Sequence, residues 1–494
     1  MIKSYFSKVY AKIIAKKIEK WSSKPIQTQE TVFNDLIRKA KKTQFGKDHH
    51  FDKIKTYEDF IKQVPVRDYE DLKPYIEQIL DGKEDVLWEG KPLYFAKTSG
   101  TTSGAKFIPI TKDSMPYHIQ AAKSALLNYI YQTGDASFVK GKMIFLQGSP
   151  IIDSYKGIQT GRLSGIVAHF VPKYLQKNRM PSWETNCIED WETKVNAVVS
   201  ETWDKNMTLI SGIPSWVQMY FEKLNEKSNK KVGELFPNFN LFVYGGVNYE
   251  PYRQKMENLI GRSVNSIELF PASEGFFAFQ DIPNKKGMLL LLDGGIFYEF
   301  ILATEFFDEN PTRISLKDVK LNVNYVLIIS TNAGLWGYNI GDTIQFTCLK
   351  PYRIIVSGRI KHFISAFGEH VIAKEVETAI EIAVRNTDIR VNEFTVAPQI
   401  NPKRGLPYHE WFIEFENKPN DLDEFAEKIN AAMVLQNSYY KDLMDGKILR
   451  KLVITSVVTN GFQNYMKSIG KLGGQNKTPR LSDNRKIVDC LKTE

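Results

Sequence analysis

Alternation and helical spacing divide the chain into two stretches of different character. PLYFAK (92–97) and FIPIT (107–111) read as short strands on either side of a polar loop, and KMIFLQG (142–148) and LFVYGG (241–246) as further strands. Between them apolar positions recur every three or four residues, which predicts helices. One runs through MPYHIQAAKSALLNYIYQ, with Asp113 or Ser114 as its cap; others fall at 189–204, at 214–228 and from Pro251 to Ile260. SIELF (266–270) and GFFAFQD (275–281) then flank PASE as strands. GMLLLL, a DGG turn at 293–295, IFYEFIL, NYVLIIST, a turn at Asn332–Gly334, TIQFTCL and YRIIVSG continue as an antiparallel series. Strands separated by helices early and meandering strands later predict a mixed α/β domain. Beyond residue 358 the pattern changes. EFTVAPQ, EWFIEFE and KLVITSVV are strands, and LDEFAEKINAAMVLQNSYYKDLM a helix, of a smaller α+β unit. The expected fold class is therefore α/β, with domains at 1–358 and 359–494 and a join near SGRIKHF (357–363).

The first residues, MIKSYFSKVYAKIIAKKIEKW, place Ile2, Tyr5, Phe6, Val9, Tyr10, Ile13, Ile14, Ile18 and Trp21 at helical spacing with lysines between them. A basic amphipathic helix can lie on a membrane surface, but a first helix docked on its own domain is the favoured expectation. The stretch lacks the continuous apolar run of a signal peptide. No run of about 18 apolar residues predicts a membrane span.

Composition changes this picture little. A hydrophobic fraction of 43% is ample for packed cores, which excludes disorder over most of the length. Cys187, Cys348 and Cys490 are far apart and in no CxxC spacing, so neither a disulfide framework nor a zinc site is expected, and a reducing, cytoplasmic setting is. A net charge of +9 suits an anionic ligand without identifying one. Residues 441–494 carry 11 Lys/Arg against 5 Asp/Glu, but no basic stripe with interleaved aromatics marks a nucleic-acid partner.

Three segments carry candidate chemistry. In KTSGTTSGAKFIPIT (97–111), Thr98, Ser99, Gly100, Thr101, Thr102, Ser103 and Gly104 run together and Lys106 closes them. This is not a Walker A loop, because Ala105 separates glycine from lysine and a strand follows instead of a helix. Hydroxyls, glycine-freed backbone N–H groups and one lysine still form a cluster of anion donors; a polar surface hairpin is the alternative. In FPASEG (270–275), Glu274 offers a hard carboxylate oxygen suited to Mg2+. Phe270 is either a stacking platform or a core aromatic. In YNIGD (338–342), Asp342 follows a glycine turn and can accept from two ribose hydroxyls.

Taken in this order, the three segments resemble those of the adenylate-forming superfamily of acyl-CoA synthetases, luciferases and peptide-synthetase adenylation domains. They are most similar to the auxin-responsive acyl acid amido synthetase family. SGTTSGAK, Phe270 to Glu274, Tyr338 to Asp342, YGGVNYEPY (244–252) and GQNKTPRL (474–481) carry the likeness along nearly the whole chain. The resemblance implies a large adenylate-forming domain with a small mobile C-terminal domain. It implies a ligase that forms an acyl-adenylate from a carboxylic acid and MgATP and passes the acyl group to an amine, usually an amino acid. On matching positions, Thr98, Ser99, Gly100, Thr101, Thr102, Ser103 and Lys106 would hold the phosphates. Gly246 and Val247 would line the adenine, with Phe270 on its face and Ser273 beside it. Glu274 would bind Mg2+, Tyr338 and Asp342 would meet the ribose, and Arg359 with Lys361 would form the hinge. Lys477 would approach the adenylate. Asn339 stands where the family has arginine, and Phe270 where it has tyrosine.

The same first-step motifs fit a ligase that hands the acyl group to coenzyme A, and a non-catalytic anion-binding protein is a third reading. The expected partners are a small carboxylic acid and an amine, with neither nucleic acid nor a membrane span, and the expected state is a monomer or weak dimer. The acid and the amine are not encoded in any motif.

Overall fold

The computed structural model describes residues 2–494 other than 100–104, 172–175, 247–248, 361–362, 365–370, 401, 446–447, 473–476 and 483. The chain forms two compact units. The first comprises Met1–Tyr249, Arg253–Ile340 and Gln345–Ile355; the second comprises Glu250–Tyr252, Gly341–Ile344 and Val356–Glu494.

In the first unit, α1 (Ile2–Ser22) is followed, after shorter helices, by α2 (Tyr69–Leu80). The Asp68 carboxylate accepts from the N–H groups of Glu70 and Asp71, and Asp71 accepts from that of Asp68, so the start of α2 is fixed by reciprocal caps. β1 (Tyr94–Ser99) and β2 (Ala105–Ile110) form an antiparallel hairpin, followed by α3 (Met115–Thr133). Ser114 precedes α3, but its hydroxyl accepts from the Thr111 N–H at 2.9 Å and caps no helical donor. Asp113 instead accepts from Lys39 at 2.7 Å. The expected capping role thus fails for both, because closer donors claim their oxygens. α1 packs on α3 and buries Ala11, Ile14, Ala15, Ile18 and Trp21, so the favoured docked reading holds for that face.

The main sheet holds twelve strands among the described residues. Its parallel part runs β3 (Lys142–Phe145), β4 (Met207–Ser211), β5 (Leu241–Gly245) and β6 (Asn265–Ala272), all neighbours in that order. Helices α4 (Pro214–Ser228) and α5 (Glu250–Ile260) follow β4 and β5. Leu241, Phe242, Val243 and Tyr244 are all buried, as expected of a strand with apolar layers on both faces. β6 turns back into antiparallel β7 (Gly275–Phe279), whose other neighbour, the short strand Met288–Leu290, pairs in turn with β11 (Tyr352–Arg359); β8 (Ile296–Leu302), β9 (Asn324–Thr331), β10 (Tyr338–Leu349) and β11 lie side by side in that order, so β8 is remote from β7 in the sheet. Two bidentate ion pairs are enclosed here. Arg313 binds both Glu299 oxygens at 3.1 and 2.8 Å, and Arg353 both Asp281 oxygens at 2.8 and 2.7 Å.

The second unit is built on β12 (Arg390–Gln399), antiparallel to β13 (Tyr408–Asn417), which is parallel to β14 (Val453–Val457). Helices α6 (Ala373–Val384) and α7 (Leu422–Gln436) bury Val376, Ile380, Ile429 and Met433 against Phe394, Val396, Trp411 and Ile413. Phe412, Ala397, Val457, Phe462 and Val488 form a second cluster. The helix expected over 422–444 is two helices, because Asn437 adopts an extended backbone. Its side-chain oxygen accepts from the Tyr440 N–H at 2.8 Å and starts α8 (Ser438–Asp445). Asparagine competes for local backbone donors in this way and interrupts an apolar period that looks continuous.

Removing one partner of an enclosed pair leaves a charge without water or counter-ion, which costs about 3–5 kcal/mol. Arg353→Met should therefore lower the thermal midpoint strongly. Lys39→Ala, which opens an exposed pair with Asp113, should change stability by about 1 kcal/mol or less; equal shifts in calorimetry would contradict the contrast.

Candidate active site

Gly245 pairs with Leu269 across parallel β5 and β6, so Gly246 and Phe270 follow side by side near the carboxyl end of β5. That is the edge at which open α/β sheets bind ligands. Gly246 has φ +83°, a conformation glycine adopts without the clash of a side chain, and the chain leaves the strand there. Val247 lies outside the described residues. Phe270 is buried, with its ring edge-on to Phe277 at 5.0 Å between centroids. Ala272 pairs with Gly275, which leaves Ser273 and Glu274 as the two residues of a tight turn, both half-buried.

The β1–β2 hairpin pairs Thr98 with Lys106 and Ser99 with Ala105, so both strands run further toward the glycines than the apolar pattern predicted. Antiparallel pairing joins backbone groups and is indifferent to the hydroxyl side chains. Gly100, Thr101, Thr102 and Ser103 lie outside the described residues. The Lys106 ammonium sits over the Tyr69 ring, 5.5 Å from its centroid, and the Tyr69 hydroxyl accepts from the Phe107 N–H at 2.9 Å. Two residues earlier, Arg67 bridges to Tyr338. The Arg67 N–H donates to the Gly337 carbonyl at 2.9 Å, and its carbonyl accepts from the Asn339 N–H at 2.8 Å. The segment 67–69 thus links the hydroxyl-glycine hairpin to the third motif. Nothing in the sequence pattern singled it out. The Arg67 guanidinium faces the Pro65 carbonyl at 3.1 Å, His49 at 3.0 Å and the Phe45 ring, so it does not stand in for the arginine that Asn339 replaces.

The second unit gathers charges from distant parts of the sequence. Gly341 has φ +83° and its carbonyl accepts from the Ile360 N–H at 2.7 Å, holding the third motif against the segment that carries Arg359. Asp342 accepts from Arg359 Nε at 2.8 Å; the aspartate is 15% exposed and the arginine 57%. Lys477 lies within electrostatic reach of both and of Arg480. Desolvation, then the positive charge of Arg359, lower its ammonium to about 8, with Asp342 opposing and Arg480 adding to the fall. Lys477 keeps an exposed surface, so the charge of its neighbours is the firmer cause. Lys361 lies outside the described residues.

What fixes the chain after Lys477 is Arg480, which sequence reasoning left without a role. Its Nε donates to Glu377 at 3.2 Å, Nη1 to Glu393, and Nη2 to the Tyr252 hydroxyl at 3.3 Å, while the guanidinium lies over Phe394 at 4.8 Å. Burial works against its charge, but Glu393, Tyr252 and Glu377 outweigh that and hold its pKa raised. The Arg480 carbonyl accepts from the Val396 N–H at 2.9 Å, and the Ser482 N–H donates to the Val396 carbonyl at 2.9 Å, so 480–482 runs as an added edge beside β12. Arginine at a position flanked by TP and L was its one sequence signal. Among the described residues, no three His, Cys, Asp or Glu side chains form a metal-binding cluster.

This architecture is that of the adenylate-forming ligases. The structure matches AtGH3.15 acyl acid amido synthetase in complex with 2,4-DB with a TM-score of 0.79 at 17% identity, over 97% of this chain and 95% of that one. It matches 2-hydroxyisobutyryl-CoA ligase in the postadenylation state with a TM-score of 0.60 at 12% identity, over 93% and 90%. The GH3 family N-terminal, central and C-terminal domains match residues 14–186, 289–359 and 374–486. The chain belongs to the GH3 family. Its relatives include jasmonoyl–L-amino acid synthetase JAR4 of Nicotiana attenuata, 22% identical over 75% of this chain and 76% of that protein. Indole-3-acetic acid-amido synthetase GH3.10 of Arabidopsis thaliana is 21% identical over 87% of each.

With desolvation and its cationic neighbours both lowering it, Lys477 should react with an amine-selective reagent at a lower pH than an ordinary lysine, which does so near 10.5. Arg359→Gln removes a charge that disfavours the ammonium and should move the midpoint upward. Peptide mapping of the labelled lysines checks both, and an unmoved midpoint rejects the coupling.

Proposed function

We propose that this chain is an ATP-dependent acyl acid amido synthetase. A substrate carboxylate oxygen attacks the α-phosphorus of ATP, forming the acyl-adenylate as the bond to the β-phosphate oxygen breaks and pyrophosphate leaves. An amine, in our reading an amino acid, then attacks the acyl carbon. The C–N bond forms, the C–O bond to AMP breaks, and the nitrogen loses a proton. The first step brings two anions together, so it needs fixed cations and donors where charge develops. Lys106 is the cation of the hairpin, and Thr98 to Ser103 are its donors to the phosphates. Gly246, Val247, Phe270 and Ser273 form the adenine site; the burial of Phe270 makes it a wall backed by Phe277. Asp342 and Tyr338 take the ribose.

The observation that carries this reading is the grouping of Asp342, Arg359 and Lys477 within one unit. A nucleotide held by Asp342 would meet the Lys477 ammonium without any search along the chain. We assign residues 359–494 the role of a mobile lid hinged at Arg359. Glu274, half-buried in its two-residue turn, suits Mg2+, which takes one or two carboxylates and fills its remaining positions with phosphate oxygens and water. When bound, the ion neutralises phosphate charge. The three free cysteines support our placing the enzyme in the cytoplasm, and among the described residues no helix is long and apolar enough to cross a membrane. We take it to act as a monomer or weak dimer.

Pyrophosphate release should be measured with a panel of carboxylic acids, first alone and then with amino acids or coenzyme A. Amide formation supports the reading; thioester formation with no amide would assign the chain to coenzyme A ligation, since the fold is shared with such a ligase. Lys477→Ala should slow adenylation by about 10²–10³-fold with an unchanged thermal midpoint. Glu274→Ala should abolish Mg2+-dependent ATP–pyrophosphate exchange in a folded protein. Near-normal exchange in either variant rejects the role given to that residue.

A further inference from the structure

We infer that the outer face of α1 is a docking surface for an anionic lipid bilayer. With 3.6 residues per turn, Ala11, Ile14, Ala15 and Ile18 occupy one side of this helix, and that side is buried on the domain. Tyr5, Phe6, Val9 and Ile13 occupy the opposite side and are 67, 65, 46 and 47% exposed. The docked side therefore accounts for the helix's own fold and leaves a second apolar stripe unused. Tyr10 sits at its margin, held by Lys123, whose ammonium donates to the Tyr10 hydroxyl at 3.2 Å and lies 4.6 Å from the ring centroid.

Charge selects the occupant. Over its length α1 carries lysines 3, 8, 12, 16, 17 and 20 against the single acid Glu19. All six lysines are exposed, and Lys12, Lys16, Lys17 and Lys20 interleave with the apolar stripe on the helical wheel. A second copy of the same face would set lysine rows against lysine rows. A bilayer carrying acidic headgroups answers both features at once: aromatic and aliphatic side chains enter the headgroup–acyl boundary, and lysine stems reach up to the phosphate level. The helix is too polar to cross the bilayer, since none of the described helices meets that requirement. It would lie along the membrane with the domain on its cytoplasm-facing side. This inference does not depend on the reaction assigned above.

The full chain should be sedimented with phosphatidylcholine vesicles and with vesicles containing phosphatidylglycerol, at low and high salt. Binding is expected with the anionic vesicles alone and should weaken as salt rises. Lys12→Glu with Lys16→Glu should lower the partition coefficient at least about tenfold, and Phe6→Glu with Ile13→Glu should do the same at any salt concentration. All four positions are exposed, so thermal midpoint and ATP–pyrophosphate exchange should stay at the parent values. No binding to anionic vesicles, or binding that neither pair of substitutions alters, overturns the inference. Self-association in ultracentrifugation that Phe6→Glu with Ile13→Glu abolishes, in a chain that ignores vesicles, would overturn it in favour of a second copy.

Discussion

A guanidinium enclosed in protein must find counter-charge or neutral walls within reach, and at Arg480 it finds both. Glu377 and Glu393 supply the negative charge, Tyr252 an oxygen and Phe394 an aromatic face. Two further cations, Arg359 and Lys477, stand within electrostatic reach, and Asp342 opposes their positive charge. Arg480 is matched by carboxylates inside the unit, while Lys477 has more positive than negative charge around it.

In the first unit, the strands that flank the hydroxyl-glycine segment pair as far as Ser99 and Ala105, and the Glu274 turn closes a paired hairpin of the main sheet, which also encloses the pairs Arg313–Glu299 and Arg353–Asp281. Tyr69 and Arg67 then join the hairpin to Tyr338 through backbone bonds and one ring face.

Much of this could be read from residue order. SIELF and GFFAFQD, read as strands on both sides of PASE, placed Glu274 on a tight loop, because flanking strands leave little freedom. The mixed sheet and the α+β unit were likewise legible, since long periodic runs overwhelm local exceptions. Short-range competition was not legible. Ser114 and Asp113 are good caps by type, yet nearer donors take their oxygens; Asn437 splits a helix whose apolar period runs through it unbroken.

The face of α1 shows the boundary between the two kinds of knowledge. Sequence periodicity determined that the first residues form a basic amphipathic helix, but only packing on α3 showed which of its apolar residues the domain buries and which it leaves exposed. Residue types and motif order also determined the adenylate-forming character of the chain, since each motif is local and carries its own chemistry. The partners of Arg480, the neighbours that lower Lys477 and the bridge from Arg67 to Tyr338 were decided by tertiary structure alone. Electrostatic coupling depends on distance in space, and no spacing along the chain encodes it.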